Sequence, residues 1–268
     1  MRLLFVGTTS NAGKTLMTAL FCRYLRRKMI MVAPFKALNL SSTSFRTADG
    51  DEIGTGQALQ AWASDIEPDV RMNPVLLKAE DGKLKLLLNG RETGRMPRKE
   101  LLAHAVASYD ELCDMYEAVV AEGSGSAAEI NLRDHDIANV GFAAERQIPM
   151  VLIGNIERGG VFAGLYGTWR LTEEKNRHLL KGFIINKYYG DKDILRSGIE
   201  RIESLTGMRC FGVMPHVNVR LPEEDSSEDG IRTYSDDEIN SFIGSLDSIL
   251  DTANENIDMH SIFRVTSE

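Results

Sequence analysis

Short, continuous apolar runs recur along the chain, and segments with helical spacing of apolar residues lie between them. Runs of this length are typical of strands that are buried on both faces of a parallel sheet. The alternation therefore predicts an α/β fold, with a mostly parallel sheet flanked by helices. The predicted core strands are residues 3–6, 29–35, 118–121, 149–154, 182–186 and 209–213, and a further short strand is predicted at 84–88.

Five segments carry apolar residues at helical spacing. They predict helices at 16–27, 55–64, 98–116 and 236–250, and a fifth helix that follows residues 131–134 and ends at Glu145. The predicted helix 236–250 presents Phe242, Leu246 and Ile249 on one face. That face could cover the sheet or dock a partner, and the sequence leaves both readings open. The residues after this helix are predicted to be a loose end.

The first predicted strand runs directly into G-T-T-S-N-A-G-K-T at residues 7–15, and a helical pattern follows. A strand, a glycine-containing loop and a helix in this order are typical of a P-loop that binds a nucleoside triphosphate. The strict pattern has glycine where this chain has Thr8, so a chance Gly-Lys-Thr at a helix start is the alternative. We predict that the loop N–H groups bind phosphate, that Lys14 reaches the β/γ oxygens and that Thr15 ligates Mg²⁺. The predicted nucleotide-binding residues here are Thr9, Asn11, Ala12, Gly13, Lys14 and Thr15.

The predicted strand at 118–121 ends in Glu122, and G-S-G-S follows it. A carboxylate at the end of a central strand, next to small residues that let phosphate approach, can supply a second Mg²⁺ ligand opposite a P-loop. Glu122 is therefore the predicted metal carboxylate, alongside Thr15. The alternative is a glutamate that merely caps the strand.

Two further strand ends carry candidate ligands. Arg158 precedes a glycine pair after the 149–154 strand, and it is available for phosphate or carboxylate. Asn186 and Lys187 end the 182–186 strand, where such a pair in a P-loop protein packs on and hydrogen-bonds the purine. As a dipeptide this last signal is weak.

Composition narrows the function classes. The net charge of -8 and the absence of a basic block argue against general nucleic-acid or anionic-membrane binding. No apolar run reaches the ~18 residues of a membrane span, and the first strand leads straight into the P-loop, so we expect a cytoplasmic protein. The cysteines, Cys22, Cys113 and Cys210, are widely spaced and form no CxxC. We expect them to be buried, reduced and not nucleophilic.

Taken together, the motifs up to about residue 226 resemble those of the cobyric acid synthase family, the glutamine-dependent amidases of cobalamin biosynthesis. That family belongs with dethiobiotin synthetase among P-loop ligases. Beyond the P-loop, the resemblance rests on A-P-F-K-A-L-N-L-S, D-G-D-E-I-G-T-G-Q-A-L-Q-A, M-N-P-V-L-L-K, E-G-S-G-S-A-A-E-I-N-L-R-D, I-E-R-G-G-V-F-A, I-N-K and L-P-E-E-D-S.

The resemblance implies an ATP- and Mg²⁺-dependent ligase that amidates corrinoid side-chain carboxylates. A substrate carboxylate would attack the γ-phosphate, and ammonia would then displace phosphate from the acyl phosphate. The implied catalytic residues are Lys14, Lys36 and Arg158, and Asn186 with Lys187 would serve adenine. The residues implied to line the substrate side are Asn39, Ser41, Glu129, Asn131 and Arg133.

Some positions depart from the family. Leu38, Thr55 and Asn155 replace a glutamine, an arginine and an aspartate, so polar contacts are expected to be lost. Family members also carry a C-terminal glutamine amidotransferase domain. Here we predict a ligase domain at 1–230, followed by an acidic helix and tail at 231–268. Either free ammonia is used, or a separate glutamine amidotransferase subunit supplies it and docks on the 236–250 helix, or the chain has drifted to a binding or regulatory role. We also expect a homodimer.

Two other functions stay open. A nucleotide-dependent switch or partitioning ATPase would predict a second lysine early in the P-loop and a basic tail, and this sequence has neither. A dethiobiotin synthetase-like carboxylate activator would act on a small diamine. The E-I-N-L-R-D and E-R-G-G-V-F motifs weigh against it.

Overall fold

The computed structural model describes residues 1–80, 82–218 and 230–267. Within these ranges the chain alternates between strands and helices for most of its length. The strands are β1 (Arg2–Gly7), β2 (Val32–Phe35), β3 (Leu38–Ser41), β4 (Thr43–Arg46), β5 (Glu52–Gly54), β6 (Val75–Glu80), β7 (Lys83–Leu88), β8 (Arg91–Thr93), β9 (Ala118–Glu122), β10 (Met150–Asn155), β11 (Leu180–Tyr188), β12 (Arg209–Pro215) and β13 (Gly230–Arg232). The α-helices are α1 (Lys14–Arg27), α2 (Thr55–Ala63), α3 (Arg98–Met115), α4 (Val140–Arg146), α5 (Val161–Leu171), α6 (Arg196–Thr206), α7 (Asp236–Asn256) and α8 (Met259–Val265).

A six-stranded parallel sheet, in the order β12-β11-β10-β1-β9-β2, forms the centre of the fold. The predicted α/β class and each of the six predicted core strands are confirmed. The strand predicted from residue 29 begins only at Val32, because Met29 closes the end of α1 with a positive φ of 61°. The carboxyl ends of all six strands lie at one edge of the sheet, which is where open α/β folds bind ligands.

Alternate residues of β1 contact different sides of the sheet. Leu4 and Val6 pack with residues of α3, α4, α5 and α6, whereas Leu3 and Phe5 pack with residues of α1, α7 and α8. The sheet is therefore covered by helices on both faces, which explains why its strands read as continuous apolar runs.

The segment between β2 and α3 is the part that the sequence predicted least well. Residues 36–54, for which no strand was predicted, contain β3, β4 and β5. The predicted 84–88 strand corresponds to β7, in a four-stranded sheet with the order β3-β6-β7-β8. A second small sheet has the order β13-β4-β5. These strands are three to six residues long, so each carries too little of a pattern to be read alone.

The helix predicted to follow residues 131–134 is shorter than expected. Ile130–His135 forms a 3₁₀ helix, and α4 begins only at Val140. Asp136 separates the two, because its carboxylate accepts backbone hydrogen bonds from Ala138, Asn139 and Gly141. The Gly141 N–H belongs to the first turn of α4 and the other two N–H groups to the residues just before it, so this carboxylate fixes where the helix begins.

The C-terminal region is packed, and the prediction of a loose end is wrong. In α7, Leu246, Ile249 and Leu250 are buried in the core on the α1 side of the sheet, so this face covers the sheet. In α8, Met259 and Ile262 are at most 4% exposed. The apolar face on which a partner subunit was expected to dock is thus largely occupied within the chain itself. The division at residue 230 stays a prediction, and β13 spans it.

An ion-pair network joins α7 to α1. Asp247 accepts hydrogen bonds from Arg23 at 2.7 and 3.1 Å and lies 3.1 Å from Arg27. The hydrogen bond from Arg23 is the main cause that holds the pKa of Asp247 below its ordinary value. A lowered carboxyl pKa stabilises the fold above the unfolded-state pKa, and this stabilisation is lost as the pH falls.

We expect Asp247→Asn to lower the free energy of unfolding by about 1 kcal/mol at pH 7, because the Arg23 guanidinium, 14% exposed, loses its two-point contact with Asp247 and is left with Asp65. The difference from the wild type should shrink once the pH falls below about 4. Urea denaturation at a series of pH values measures both effects. Asp193→Asn, which removes an ion pair with both side chains 70% exposed, is the matched control and should change little. Equal effects of the two substitutions would contradict the role given to Asp247.

Candidate functional site

The loop between β1 and α1 wraps tightly at the carboxyl edge of the sheet. Asn11 and Gly13 have φ values of 56° and 97°. A Cβ atom on Gly7 would lie 2.9 Å from the Thr9 carbonyl oxygen and 3.1 Å from Lys14 Nζ. A side chain at residue 7 would therefore push on both the loop backbone and the lysine. This contact gives a reason for glycine at position 7, one residue before the position that the strict P-loop pattern requires.

Lys14, the first residue of α1, turns its side chain back into the loop. It is 7% exposed, and Nζ donates hydrogen bonds to the Gly125 carbonyl at 2.8 Å and to the Thr9 carbonyl at 3.4 Å. The segment after β9 is held beside the loop by a backbone bond from Ala127 N–H to the Gly7 carbonyl, 2.9 Å long. The ammonium therefore lies between the loop and this segment.

The carboxylate of Glu122, 1% exposed, is the centre of the site. Oε1 accepts a hydrogen bond from the Thr15 hydroxyl at 2.8 Å and another from Lys36 Nζ at 3.2 Å. Oε2 accepts from the side-chain amides of Gln60 at 2.7 Å and Gln57 at 3.5 Å. A buried carboxylate is costly unless it is paired and hydrogen-bonded, and these donors satisfy that requirement.

Lys36 reaches Glu122 from the connection between β2 and β3 and is 2% exposed. Its backbone is fixed on both sides: the N–H donates to the Met72 carbonyl at 2.8 Å, and the carbonyl accepts from the Asn73 side chain at 3.1 Å. An ammonium and a carboxylate are thus held together where strands β2 and β9 end side by side.

Asn186, near the end of β11, is tied to the P-loop. It is 2% exposed, and Nδ2 donates to the Ala12 carbonyl at 2.9 Å. A Cβ atom on Gly13 would collide with this same amide. Glycine is therefore required at position 13 both by its positive φ and by the close approach of Asn186. Lys187, the next residue, lies 3.7 Å from Glu157.

A cleft of about 770 Å³ begins beside the P-loop, at Ser10 and Gly125. Its walls come from the segment after β9, from both ends of α4, from the start of α3 and from the end of α5. The exposed apolar residues Ile130 and Leu132 line it, 57% and 52% exposed. Asn139 fixes one wall, because its amide donates to the Ser124 carbonyl at 2.8 Å.

The oxygen donors of Thr15 and Glu122 fit a magnesium ion. Mg²⁺ binds through one or two protein oxygens and completes its octahedron with phosphate oxygens and water. Thr15 Oγ1 and Glu122 Oε1 lie 2.8 Å apart and offer that donor set. In the part of the chain that the structure describes, no three His, Cys, Asp or Glu side chains lie together in a way that could hold a metal ion. Phosphate oxygens and water would therefore supply the remaining ligands of a magnesium ion here.

The cysteines offer no activated nucleophile. Burial raises the pKa of Cys22 to about 12 and that of Cys210 to about 11, and it also raises the pKa of Cys113. A thiol whose pKa lies above the ambient pH stays protonated and is a poor nucleophile. The thiols are free, as predicted, although only Cys22 is fully buried.

The comparisons with known proteins agree with this geometry. Residues 3–231 match CbiA, the CobQ/CobB/MinD/ParA nucleotide binding domain. The chain belongs to this family. It is 48% identical over 244 residues to the probable cobyric acid synthase of Methanoregula boonei, a match that covers 88% of this chain and 51% of that protein. With the cobyric acid synthase of Cutibacterium acnes the identity is 46% over 237 residues, 85% of this chain and 49% of that protein.

The predicted resemblance to the cobyric acid synthases is thereby confirmed. The chain spans about half the length of the curated relatives it matches. Solved structures with a similar fold include chloroplast FtsY from Physcomitrella patens, with a TM-score of 0.46, 15% identity and coverage of 91% of this chain and 64% of that one. They also include the MinC:MinD cell division protein complex of Aquifex aeolicus, with a TM-score of 0.45, 13% identity and 94% coverage of each chain.

The structure brings together only some of the residues predicted for this CbiA-family domain. Thr15 and Lys36 meet at the Glu122 carboxylate, whereas Lys14 donates to the Gly125 carbonyl. Asn186 joins the P-loop backbone. Arg158 is exposed in the loop before α5. The L-P-E-E-D-S motif at 221–226 lies outside the described residues. The roles of the individual residues stay predictions.

The residues predicted to line the substrate side fall into separate groups. Asn39 and Ser41, on β3, are buried and donate or share hydrogen bonds with Gln57 and Thr43. Glu129 lines the cleft, and Asn131 is exposed on the 3₁₀ helix beside it. The side chain of Arg133 lies outside the described part of the chain.

The positions that depart from the cobyric acid synthase pattern lie near the site. Leu38 lines the cleft. Thr55 is buried at the start of α2 and donates to Thr43 Oγ1 at 3.2 Å. Asn155 keeps a contact with the P-loop, because its amide lies 3.5 Å from the Asn11 carbonyl.

Gln57 and Gln60 were not among the residues predicted for the site. Both are fully buried on α2, a helix whose other residues are mostly small or apolar. The available signal was two amides three residues apart on one face of a buried helix, since a buried amide requires a polar partner.

Within residues 1–80, 82–218 and 230–267, no helix combines the length and apolar character needed to cross a bilayer.

We expect Gly13→Ala to destabilise the protein by at least about 1–2 kcal/mol, because alanine resists this positive φ and its methyl group displaces Asn186. Gly244→Ala is the matched control. Residue 244 lies in α7 with open space around it, so alanine should stabilise by up to about 1 kcal/mol. Denaturant unfolding without nucleotide measures both. Similar free energies for the two variants would contradict the packing described for Asn186.

Proposed function

We propose that this chain catalyses the ATP-dependent amidation of corrinoid side-chain carboxylates, through an acyl phosphate and with ammonia from a separate source. The observation that carries the proposal is the cluster around Glu122, in which Thr15 of the P-loop and the buried ammonium of Lys36 share one carboxylate oxygen. The names of the similar full-length proteins supply the substrate class.

The P-loop would bind the phosphates of ATP. Its backbone N–H groups and the start of α1 favour an anion at this point. Lys14, already turned into the loop, would exchange its carbonyl contacts for β/γ-phosphate oxygens. Thr15 and Glu122 would hold Mg²⁺, which neutralises charge on the same phosphate oxygens. Asn186 and Lys187 lie near the end of β11, and we assign the adenine side to them.

Lys36 would act on the reacting groups. Its ammonium donates at 3.2 Å to Glu122 Oε1, the same oxygen that accepts from Thr15, and we expect the terminal phosphate to lie close to it. A positive charge there would lower the repulsion between the substrate carboxylate and the γ-phosphate. Electrostatic stabilisation of this kind is commonly the largest contribution to such a transfer. The substrate oxygen forms a bond to γ-phosphorus while the bond to ADP breaks.

Ammonia would then attack the acyl carbon. The bond from this carbon to the phosphate oxygen would break, so that inorganic phosphate leaves and the amide remains on the substrate. This sequence needs no protein nucleophile, which agrees with the raised pKa of all three thiols. Positioning two reactants in line supplies much of the rate in such reactions.

The cleft beside Gly125 is the part of the site that we assign to the corrinoid. It is continuous with the P-loop and combines apolar side chains, Ile130 and Leu132, with polar ones such as Glu129. A corrin ring with amide and carboxylate arms presents both kinds of surface. Asn131 and Arg133, predicted for the substrate side, belong to the same 3₁₀ helix as Ile130 and Leu132. Arg158 lies in the loop between β10 and α5.

Ammonia could come from free ammonium or from a separate glutamine amidotransferase subunit. We also propose that the working form is a homodimer.

The test of the proposed amidation is to mix the chain with ATP, Mg²⁺, ammonium and adenosylcobyrinic acid a,c-diamide, and to follow ADP release and product mass. Turnover that requires corrinoid supports the proposal. ATP turnover that ignores corrinoid would favour a nucleotide-dependent switch.

Lys14→Ala should lower kcat/KM in this assay by about 100-fold or more, because a charge that contacts the transferring phosphate is removed. The matched control is Lys181→Ala, an exposed lysine on β11, which should keep wild-type turnover. Near-normal turnover by Lys14→Ala would count against ATP chemistry at the P-loop.

Ile130→Asn should raise the KM for the corrinoid about 5-fold and leave the KM for ATP unchanged, because part of an apolar contact of roughly 1–2 kcal/mol is lost. Ile194→Asn is the matched control, since Ile194 is 75% exposed and lies outside the cleft. Steady-state kinetics with each substrate varied in turn makes the measurement. A rise in the KM for ATP instead would place the corrinoid elsewhere.

A further inference from the structure

The two oxygens of the Glu122 carboxylate have different partners. Oε1 faces Thr15 and Lys36, the groups on the phosphate side of the site. Oε2 is held only by α2 among the described residues, through the amides of Gln60 at 2.7 Å and Gln57 at 3.5 Å. One oxygen therefore faces the reacting groups, and the other is anchored to a helix.

The anchoring helix is itself fixed. Gln57 and Gln60 are fully buried and lie on one face of α2, three residues apart. Gln57 Oε1 accepts a hydrogen bond from Asn39 Nδ2 at 3.2 Å. Gln60 also donates to the Thr15 carbonyl at 3.3 Å. The amide of Gln60 thus contacts both residues that we assign to the metal.

Both glutamines contact the Glu122 carboxylate at Oε2, not at the oxygen that accepts from Thr15 and Lys36. What they can change is the orientation of that carboxylate. A carboxylate with one oxygen anchored cannot rotate freely about its last torsion, so the other oxygen keeps a fixed direction. Magnesium demands near-ideal octahedral geometry, which makes its affinity sensitive to that direction. Residues that orient a ligand in this way typically affect metal affinity by 10–100-fold.

We infer that Gln60 is the positioning residue for the Glu122 carboxylate, and that by anchoring Oε2 it sets how strongly Mg²⁺ joins the nucleotide at Thr15 and Glu122. Gln57, with its longer hydrogen bond, contributes in the same direction but less. The inference rests on the proposed nucleotide site, and it is independent of which acid is amidated.

The test measures binding, not turnover. Isothermal calorimetry of the full chain with AMP-PNP gives a Kd in excess Mg²⁺ and a Kd in EDTA, and the ratio of the two reports the contribution of the metal. Gln60→Met keeps the length of the side chain and removes its amide. It should reduce this ratio about 10-fold or more, while the Kd in EDTA stays within about 2-fold of the wild type. Gln57→Met should reduce the ratio by a smaller factor.

Ser64→Ala is the matched control. It removes a hydrogen bond to the Gln60 carbonyl at the end of the same helix without touching Glu122, so the ratio should not change. Thermal melting of each variant shows whether it is folded. If Gln60→Met does not fold, the measurement on Gln57→Met decides the question. A ratio that is unchanged in the glutamine variants, or reduced equally by Ser64→Ala, would overturn the inference while the proposed function stands. A wild-type chain that binds no AMP-PNP, or binds it no better with Mg²⁺, would overturn both.

Discussion

The structure depends on one buried negative charge. Glu122 ends a central strand in the interior, where an unpaired carboxylate would cost several kcal/mol. Its donors come from three other parts of the chain: Thr15 from the P-loop helix, Lys36 from the connection after β2, and two amides from α2. Satisfying this charge therefore brings the nucleotide loop and the β2–α2 region into one arrangement. Loss of any donor would leave part of the charge without compensation.

The parallel sheet explains why these groups can meet. β1, β9 and β2 are neighbours with the same direction, so the residues that follow them lie along one edge. Residues 7–15 follow β1, Glu122 ends β9, and Lys36 follows β2. On the other side of β1, β10 and β11 deliver Asn155 and Asn186, whose amides both lie against P-loop carbonyls. Sequence separations of more than 100 residues are bridged by topology alone.

The same topology decides what the sequence could predict. The core strands and the P-loop were predictable because burial on both faces and phosphate binding each leave a continuous local pattern. The small sheets were not, since strands such as β5 are too short to show a period. The helix α8 was missed for a similar reason: it has seven residues, and its start depends on Asp258 accepting a hydrogen bond from Ser261. Lys14, Lys36 and Glu122 were predicted at the site from motifs, but the glutamines of α2 were not, because a glutamine shows no role until its carboxylate partner is known.

The contact between Lys14 and Gly125 links the two halves of the candidate site. Gly125 lies in the segment after β9 that forms the mouth of the cleft, and its carbonyl accepts the hydrogen bond from the P-loop lysine. The same segment is fixed from the other side by Asn139, whose amide donates to the Ser124 carbonyl. A ligand in the cleft and a phosphate in the P-loop would therefore press on one short peptide. If Lys14 exchanged the Gly125 carbonyl for a phosphate oxygen, as we propose, that carbonyl at the mouth of the cleft would need a new donor. Through this shared peptide, the nucleotide and substrate sites that we propose would be coupled.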